Sequence, residues 1–186
     1  LQEAIAKVNL PAVLKTRRLG YDGKGQQVLR TPEDIEPAWQ ALGSVPLLLE
    51  GFIPFEREVS VLAARGRTGE MAFYPLVENH HRGGILRLSR APCPLPELEQ
   101  EAWDYARRLL ERLHYVGLLA IEFFVHEGRL IANEMAPRVH NSGHWTIEGA
   151  ETSQFENHLR AIAGLPLGAT TALGPCAMLN CIGSLP

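Results

Sequence analysis

Residues 118–136, LLAIEFFVHEGRLIANEMA, set one carboxylate, Glu122, inside an apolar run and a second, Glu134, inside the next. β-Branched and aromatic residues on either side of Glu127-Gly128-Arg129 mark two strands, 118–126 and 130–136, folded back as a hairpin. Few features constrain a fold more, because strand side chains alternate between faces and the turn decides which residues face one another. A three-residue loop pairs His126 with Leu130 and sets Glu122 opposite Glu134, whereas a two-residue turn sends Glu134 to the other face. A carboxylate among Ala120, Ile121, Phe123, Phe124, Ile131 and Ala132 is costly unless compensated. The expectation is therefore the three-residue loop, with Gly128 or Arg129 left-handed, and a divalent cation shared by Glu122 and Glu134. Magnesium fits, because oxygen ligands on one side leave room for water and phosphates. The alternative is that Arg129 or Arg138 pairs with one acid on a solvated face.

Composition bounds the rest. With 46% hydrophobic residues and a net charge of −3 over 186 residues, the chain can bury a real core and has no basic stripe for nucleic acid or a membrane surface. Cys93, Cys176 and Cys181 form no CxxC pair and are odd in number, which suits a reducing, cytoplasmic setting. Apolar runs such as 46–49 and 116–121 are far short of a membrane span. The chain opens at Leu1 without methionine and stops just after an apolar run, 177–182, that reads as a strand, so a fragment of a longer protein is expected.

Residues 12–15 read as a short strand ending in Lys15, and a glycine-rich loop follows, Gly20-Tyr21-Asp22-Gly23-Lys24-Gly25-Gln26. Such glycines allow positive φ and close approach of backbone N–H groups to phosphate oxygens, although Asp-Gly is equally a plain turn signal. Residues 27–30 return as a strand. Thr31-Pro32 then announces a helix that Gly43 ends. Strand 45–52 carries Glu50 near its end, and Glu58 heads strand 59–64; these two acids suit an adenine amine and ribose hydroxyls, or are solvated charges. Residues 71–77 are expected as a strand, 78–84 (ENHHRGG) as a polar loop over a site, and 85–91 as a strand. Apolar residues Leu98, Ala102, Ala106, Leu109 and Leu113 recur at helical spacing. A second helix over 153–163 starts at Thr152 or Ser153, stops at Gly164, and presents Phe155, Leu159 and Ile162 as core. Arg138, His140, Asn141 and Ser142 follow Pro137 without periodicity and read as a loop of donors for a small planar anion or a transferred phosphate. Strands outnumber helices and come partly as hairpins, so the fold class is α+β with mostly antiparallel sheets.

Taken together, PAVLKTRRLGYDGKGQ, EGF, EREVSV, FYPLVENHH and above all NEMAPRVHNSGHWT resemble the 5-(carboxyamino)imidazole ribonucleotide synthases, a family of ATP-grasp enzymes of purine biosynthesis. The resemblance covers nearly the whole chain. It implies an ATP-grasp fold of two lobes with a nucleotide site between them, residues 1–54 forming the small lobe and 55–186 the large one. It implies ATP and Mg2+ as cofactors, bicarbonate and 5-aminoimidazole ribonucleotide as substrates, a cytoplasmic location and room for a homodimer. By position, ATP would meet Lys15, the loop Gly20, Tyr21, Asp22, Gly23, Lys24, Gly25 and Gln26, the hinge Glu50, Gly51, Phe52 and Ile53, and Glu58, His81, Asn133 and Glu134. Glu122 and Glu134 would hold the metal. Tyr21, Asp22, Lys24, Arg138, Asn141 and Ser142 would meet substrate, with Asp22, Arg138 and Asn141 nearest the chemistry. Many relatives carry arginine where Lys24 stands, a swap that keeps charge but loses the bidentate fork. The family's N-terminal nucleotide-fold domain and its C-terminal segment have no counterpart here, so little synthase activity is expected of this chain alone.

Overall fold

The computed structural model describes residues 1–20, 23–43 and 45–183. In chain order the elements are α1 (Gln2–Val8), β1 (Ala12–Thr16), β2 (Gln26–Leu29), α2 (Ile35–Ala41), β3 (Leu47–Gly51), β4 (Arg57–Arg65), β5 (Met71–Phe73), β6 (Val77–Arg82), β7 (Ile85–Ala91), α3 (Pro96–Arg112), β8 (Gly117–His126), β9 (Arg129–Ala136), α4 (Thr146–Gly149), α5 (Gln154–Ala163) and β10 (Cys176–Leu179). They form two compact units, Leu1–Pro54 with Arg82–Ile85, and Phe55–His81 with Leu86–Pro186. None of the described helices is long and apolar enough to cross a membrane.

The first unit is an antiparallel three-stranded sheet, β2-β1-β3. Leu14, Leu29 and Ala38 are its buried centre, with Ile5, Leu10, Ile35, Leu42, Leu47 and Leu49 packed around them. The turn into α2 starts where the sequence indicates: Thr31 and Asp34 form a reciprocal capping box with Pro32 at the first position. Asp34 accepts from the backbone N–H groups of Arg30 and Thr31 at 2.8 and 2.9 Å, and Gly43, at φ 74°, follows the helix end.

The second unit is a seven-stranded sheet in the order β10-β7-β6-β4-β8-β9, with β5 paired beside β4. Its two faces are used differently. On one, Val59, Val61, Ala63, Leu119, Ile121, Phe123 and Val125 pack against Leu98, Ala102, Ala106 and Leu110 of α3. On the other, Leu62, Ala64, Leu118, Ala120 and Ala136 pack with Tyr74, Trp145 and Ala150, and α5 lies against the same strands. That second face is covered at one end only; at its other end, side chains in the same alternation are polar, and they form the site below.

Three details differ from the sequence reading. Residues 78–82, expected as loop, continue β6, because polar residues there still alternate as in a strand. In α3 the inward turn closes on Leu110, while Leu113 caps the helix and is 52% exposed. In α5 the expected core residues Phe155, Leu159 and Ile162 face outward, and Gln154, Asn157 and Ala161 are buried. The buried amides have partners: Asn157 Nδ2 donates to the Tyr74 hydroxyl (2.9 Å) and its Oδ1 accepts from Gly168 N–H (2.8 Å). The α+β class with mostly antiparallel sheets is otherwise as expected.

Candidate functional site

The hairpin of β8 and β9 does bring Glu122 opposite Glu134, by a route other than the one expected. The turn has two residues: His126 pairs with Arg129, and Glu127 and Gly128 both have positive φ (50° and 71°), as a type I′ turn requires. Carried forward unbroken, that register would face Glu122 with Asn133 and aim Glu134 at the α3 side of the sheet. A β-bulge between the Phe123–Ala132 and Glu122–Glu134 pairs takes up Asn133 as an extra residue and returns Glu134 to the face of Glu122.

Around this pair the same face collects further polar side chains by register. Ser60 of β4 lies opposite Glu122, Glu58 opposite Asn79 of β6, and His81 follows two residues on. His81 Nδ1 contacts the Glu58 carboxylate. Its neighbour His80 points to the opposite face, where Nε2 lies 3.1 Å from Glu78 and Arg57 holds the other oxygen at 3.0 Å. After β9 the chain turns at Pro137 and delivers His140 over the sheet, its Nε2 3.6 Å from Glu122 Oε1. One ligand atom from each of Glu122, Glu134 and His140 lies within 4.8 Å of the others.

The electrostatics follow from burial. Burial first, and the neighbouring Glu134 second, push the Glu122 carboxyl up to about 7. Burial holds His140 down near 4, with Arg138 adding to the effect. For His81, burial works against the cation, but the hydrogen bond to Glu58 and the surrounding carboxylates outweigh it and raise the ring above its usual value. A carboxylate pair whose repulsion raises one member fits a divalent cation, whose charge would remove the reason for the shift.

In the first unit Lys15 Nζ lies 2.6 Å from Glu50 Oε2, since Glu50 pairs with Val13 one pleat away. Gly20, Gly23, Lys24 and Gly25 form the bend before β2, and Gln26 pairs with Lys15. Thr16 N–H donates to Gly25 O (2.8 Å), and at φ 75° a Cβ on Gly25 would lie 2.6 Å from Thr16 Oγ1, so only glycine fits there. Tyr21 and Asp22 lie outside the described residues. Gly51 ends β3; Phe52 N–H donates to Pro11 O (3.1 Å) with the Arg30 guanidinium over its ring, and Ile53 follows half-buried.

Arg138 is exposed and donates to Val139 O (2.9 Å), and Asn141 Oδ1 lies 2.9 Å from His144 Nδ1. Ser142, expected beside substrate, is fully buried, with its hydroxyl between Ser60 and His140. Sequence reasoning passed over Ser60, Asn79, Ser89 and Gln154, all buried polar residues. Their signal was present as isolated hydroxyls and amides inside otherwise apolar strands and at a helix start.

The comparisons with known proteins bear on the fold and the family. The ATP-grasp domain family matches residues 1–155. The N5-carboxyaminoimidazole ribonucleotide synthase of Pseudomonas aeruginosa is 64% identical over 186 residues, covering 100% of this chain and 51% of that protein. The crystal structure of N5-carboxyaminoimidazole ribonucleotide synthetase from Thermus thermophilus is similar with TM-score 0.93 and 62% identity, over 100% of this chain and 51% of that one. That of the Aspergillus clavatus N5-carboxyaminoimidazole synthase, in complex with ADP and 5-aminoimidazole ribonucleotide, is similar with TM-score 0.89 and 33% identity, over 98% and 48%. The chain thus spans about half the length of the curated relatives it matches. With two facing carboxylates set on an antiparallel sheet and the match running over residues 1–155, the chain belongs to the ATP-grasp family.

Proposed function

We propose that this chain carries the ATP- and metal-handling part of an N5-carboxyaminoimidazole ribonucleotide synthase, a cytoplasmic ligase. In that reaction bicarbonate attacks the γ-phosphorus of ATP and ADP leaves; the resulting carboxyphosphate, or carbon dioxide released from it, then carboxylates the exocyclic amine of 5-aminoimidazole ribonucleotide, with loss of phosphate and the amine proton. The observation that carries the reading is Glu122 facing Glu134 across the β8–β9 pair, at the polar end of a sheet face whose other end is apolar. Support for the substrate comes from relatives of that name and from the Aspergillus structure holding ADP and the ribonucleotide.

Each residue has a physical task in this scheme. Glu122 and Glu134 would hold Mg2+, which when bound neutralises phosphate charge. Lys15 would exchange Glu50 for a phosphate, and Glu50, with the backbone from Gly51 to Ile53, would take the adenine. Glu58, steadied by His81, would accept from ribose hydroxyls. The bend from Gly20 to Gln26, with Tyr21, Asp22 and Lys24, would cover the phosphates and meet the ribonucleotide. Arg138 and Asn141, beyond β9, would hold bicarbonate and the anion formed from it, and stabilise charge as it develops. Residues 1–54 and 55–186 would serve as the small and large ATP-grasp lobes.

Calorimetric titration of ATP into this chain, with and without Mg2+, tests the site. Magnesium-dependent binding that weakens at least about tenfold in Glu134→Gln is the expected result, since even residues that only support metal ligands are worth that much. In the full-length protein, ADP release should require both bicarbonate and 5-aminoimidazole ribonucleotide. Turnover driven instead by formate or biotin would reassign the substrate, and ATP affinity without phosphate release would make the chain a binding module.

A further inference from the structure

Beneath the acids runs a continuous chain of buried hydrogen bonds. Ser89 Oγ donates to Asn79 Oδ1 (2.8 Å), Asn79 Nδ2 to Ser60 Oγ (2.9 Å), and Ser60 Oγ to Ser142 Oγ (2.8 Å), which lies 2.9 Å from His140 Nδ1. Ser60, Ser89 and Ser142 are fully buried, Asn79 is 4% exposed and His140 8%. The chain crosses β7, β6 and β4 before reaching the segment after β9, and no described water-facing group interrupts it.

Proton counting gives this chain a direction. A hydroxyl has one proton, so a serine that donates forward can only accept in any contact behind it. Either direction would satisfy the hydroxyls alone, because the Asn79 amide can turn over. The backbone breaks the tie: Ser142 N–H points at His140 Nδ1 (3.4 Å), and an amide N–H can only donate. His140 Nδ1 must then accept, and Ser142 Oγ–H, having received from Ser60, is free to donate to it as well. The ring's own proton sits on Nε2, on the side of Glu122. The backbone of His140 is held just as firmly, its N–H donating to Gln154 Oε1 (2.9 Å) and its carbonyl accepting from Gln154 Nε2 (2.7 Å). Gln154 is itself fully buried and anchored through its N–H to Thr146 Oγ1 (2.9 Å).

We propose that Ser89, Asn79, Ser60 and Ser142, together with Gln154, are positioning residues that lock His140 as its Nε2–H tautomer, so that the ring turns its N–H toward Glu122 and is not a third metal ligand. An imidazole can ligate through Nε2 only with that atom's lone pair free. The lock denies it. His140 thus turns an N–H dipole toward one carboxylate oxygen at 3.6 Å, a contact longer than a hydrogen bond, and leaves the oxygens of the pair for a cation. The part this plays in turnover rests on the proposed function; the state of the ring does not.

Nitrogen-15 NMR of this chain, with two-bond correlations from ring protons, reads the tautomer directly. The expected spectrum for His140 has a protonated Nε2 and a bare Nδ1, unchanged in kind when Mg2+ is added. A protonated Nδ1, or an Nε2 signal that shifts as a metal ligand's would, overturns the proposal. In Ser142→Ala the two nitrogens should move toward averaged shifts as the tautomers exchange, and Ser142→Thr should restore the parent pattern. Ser89→Ala, which removes the donor that keeps Asn79 oriented, should produce the same averaging from the far end of the chain and serves if Ser142→Ala does not fold. Parent-like spectra in both alanine variants would show that the chain does not set the ring. In the full-length protein, Ser142→Ala should lower kcat about tenfold while leaving the KM for ATP within about twofold; a change confined to KM would assign Ser142 to nucleotide binding instead.

Discussion

Glu122 is the residue at which the site and the stability of the chain meet. Its carboxyl titrates near 7 when buried here and near 4.5 when the chain is unfolded. A group whose pKa is raised by folding stabilises below its unfolded value and loses that contribution as pH climbs to the folded one. The metal-free chain should therefore lose stability on this account between about pH 4.5 and 7. Glu122→Gln should leave urea midpoints unchanged at pH 4 and raise stability at pH 8, by up to about 3 kcal/mol. The sign reverses for ligand: Mg2+ needs the ionised acid, so its affinity should rise with pH through neutrality, which titrations at pH 6 and 8 would show. The carboxylates were legible in the sequence because an acid inside an apolar run demands a reason. Ser60, Asn79 and Ser89 were not, since they are scattered along the chain and acquire meaning only when strand pairing lines them up.

The β8–β9 hairpin shows where element-level reading stops. Residue types named the two strands and their apolar faces, but Glu127-Gly128-Arg129 suits a two- or a three-residue turn, and no rule of composition predicts that Asn133 bulges. Deleting Asn133 tests the bulge: with the extra residue gone the ladder runs on regularly from the turn and Glu134 still falls opposite Glu122, so strand content by circular dichroism and the magnesium dependence of ATP binding should both persist; loss of that dependence would show that the bulge does more than set the register. The turn makes its own prediction. Glu127 occupies left-handed space that asparagine adopts more easily, so Glu127→Asn should stabilise the chain by about 0.5–1 kcal/mol in urea unfolding. Its N–H bond to Glu56 Oε1 (2.9 Å) uses backbone alone on the Glu127 side and would survive the change.

Across the whole molecule the misread helix is the most instructive. The rule that apolar stripes point inward located α5 correctly and oriented it backwards, because the polar stripe has partners below it that periodicity cannot see: Gln154 on the backbone of His140, Asn157 on Tyr74 and Gly168. Leu159→Gln, at a position 61% exposed, should change unfolding free energy by no more than about 0.5 kcal/mol. Asn157→Leu should cost roughly 1–3 kcal/mol by stranding the Gly168 and Tyr74 groups. Phe155, Leu159, Ile162 and Leu165 stay in contact with solvent. An inside-out helix of this kind separates two properties that usually travel together. The residues that decide how the protein behaves as a colloid, in salting-out, adsorption and shelf life, are not those that decide whether it folds, so its solubility can be rewritten along that stripe without disturbing the sheet beneath.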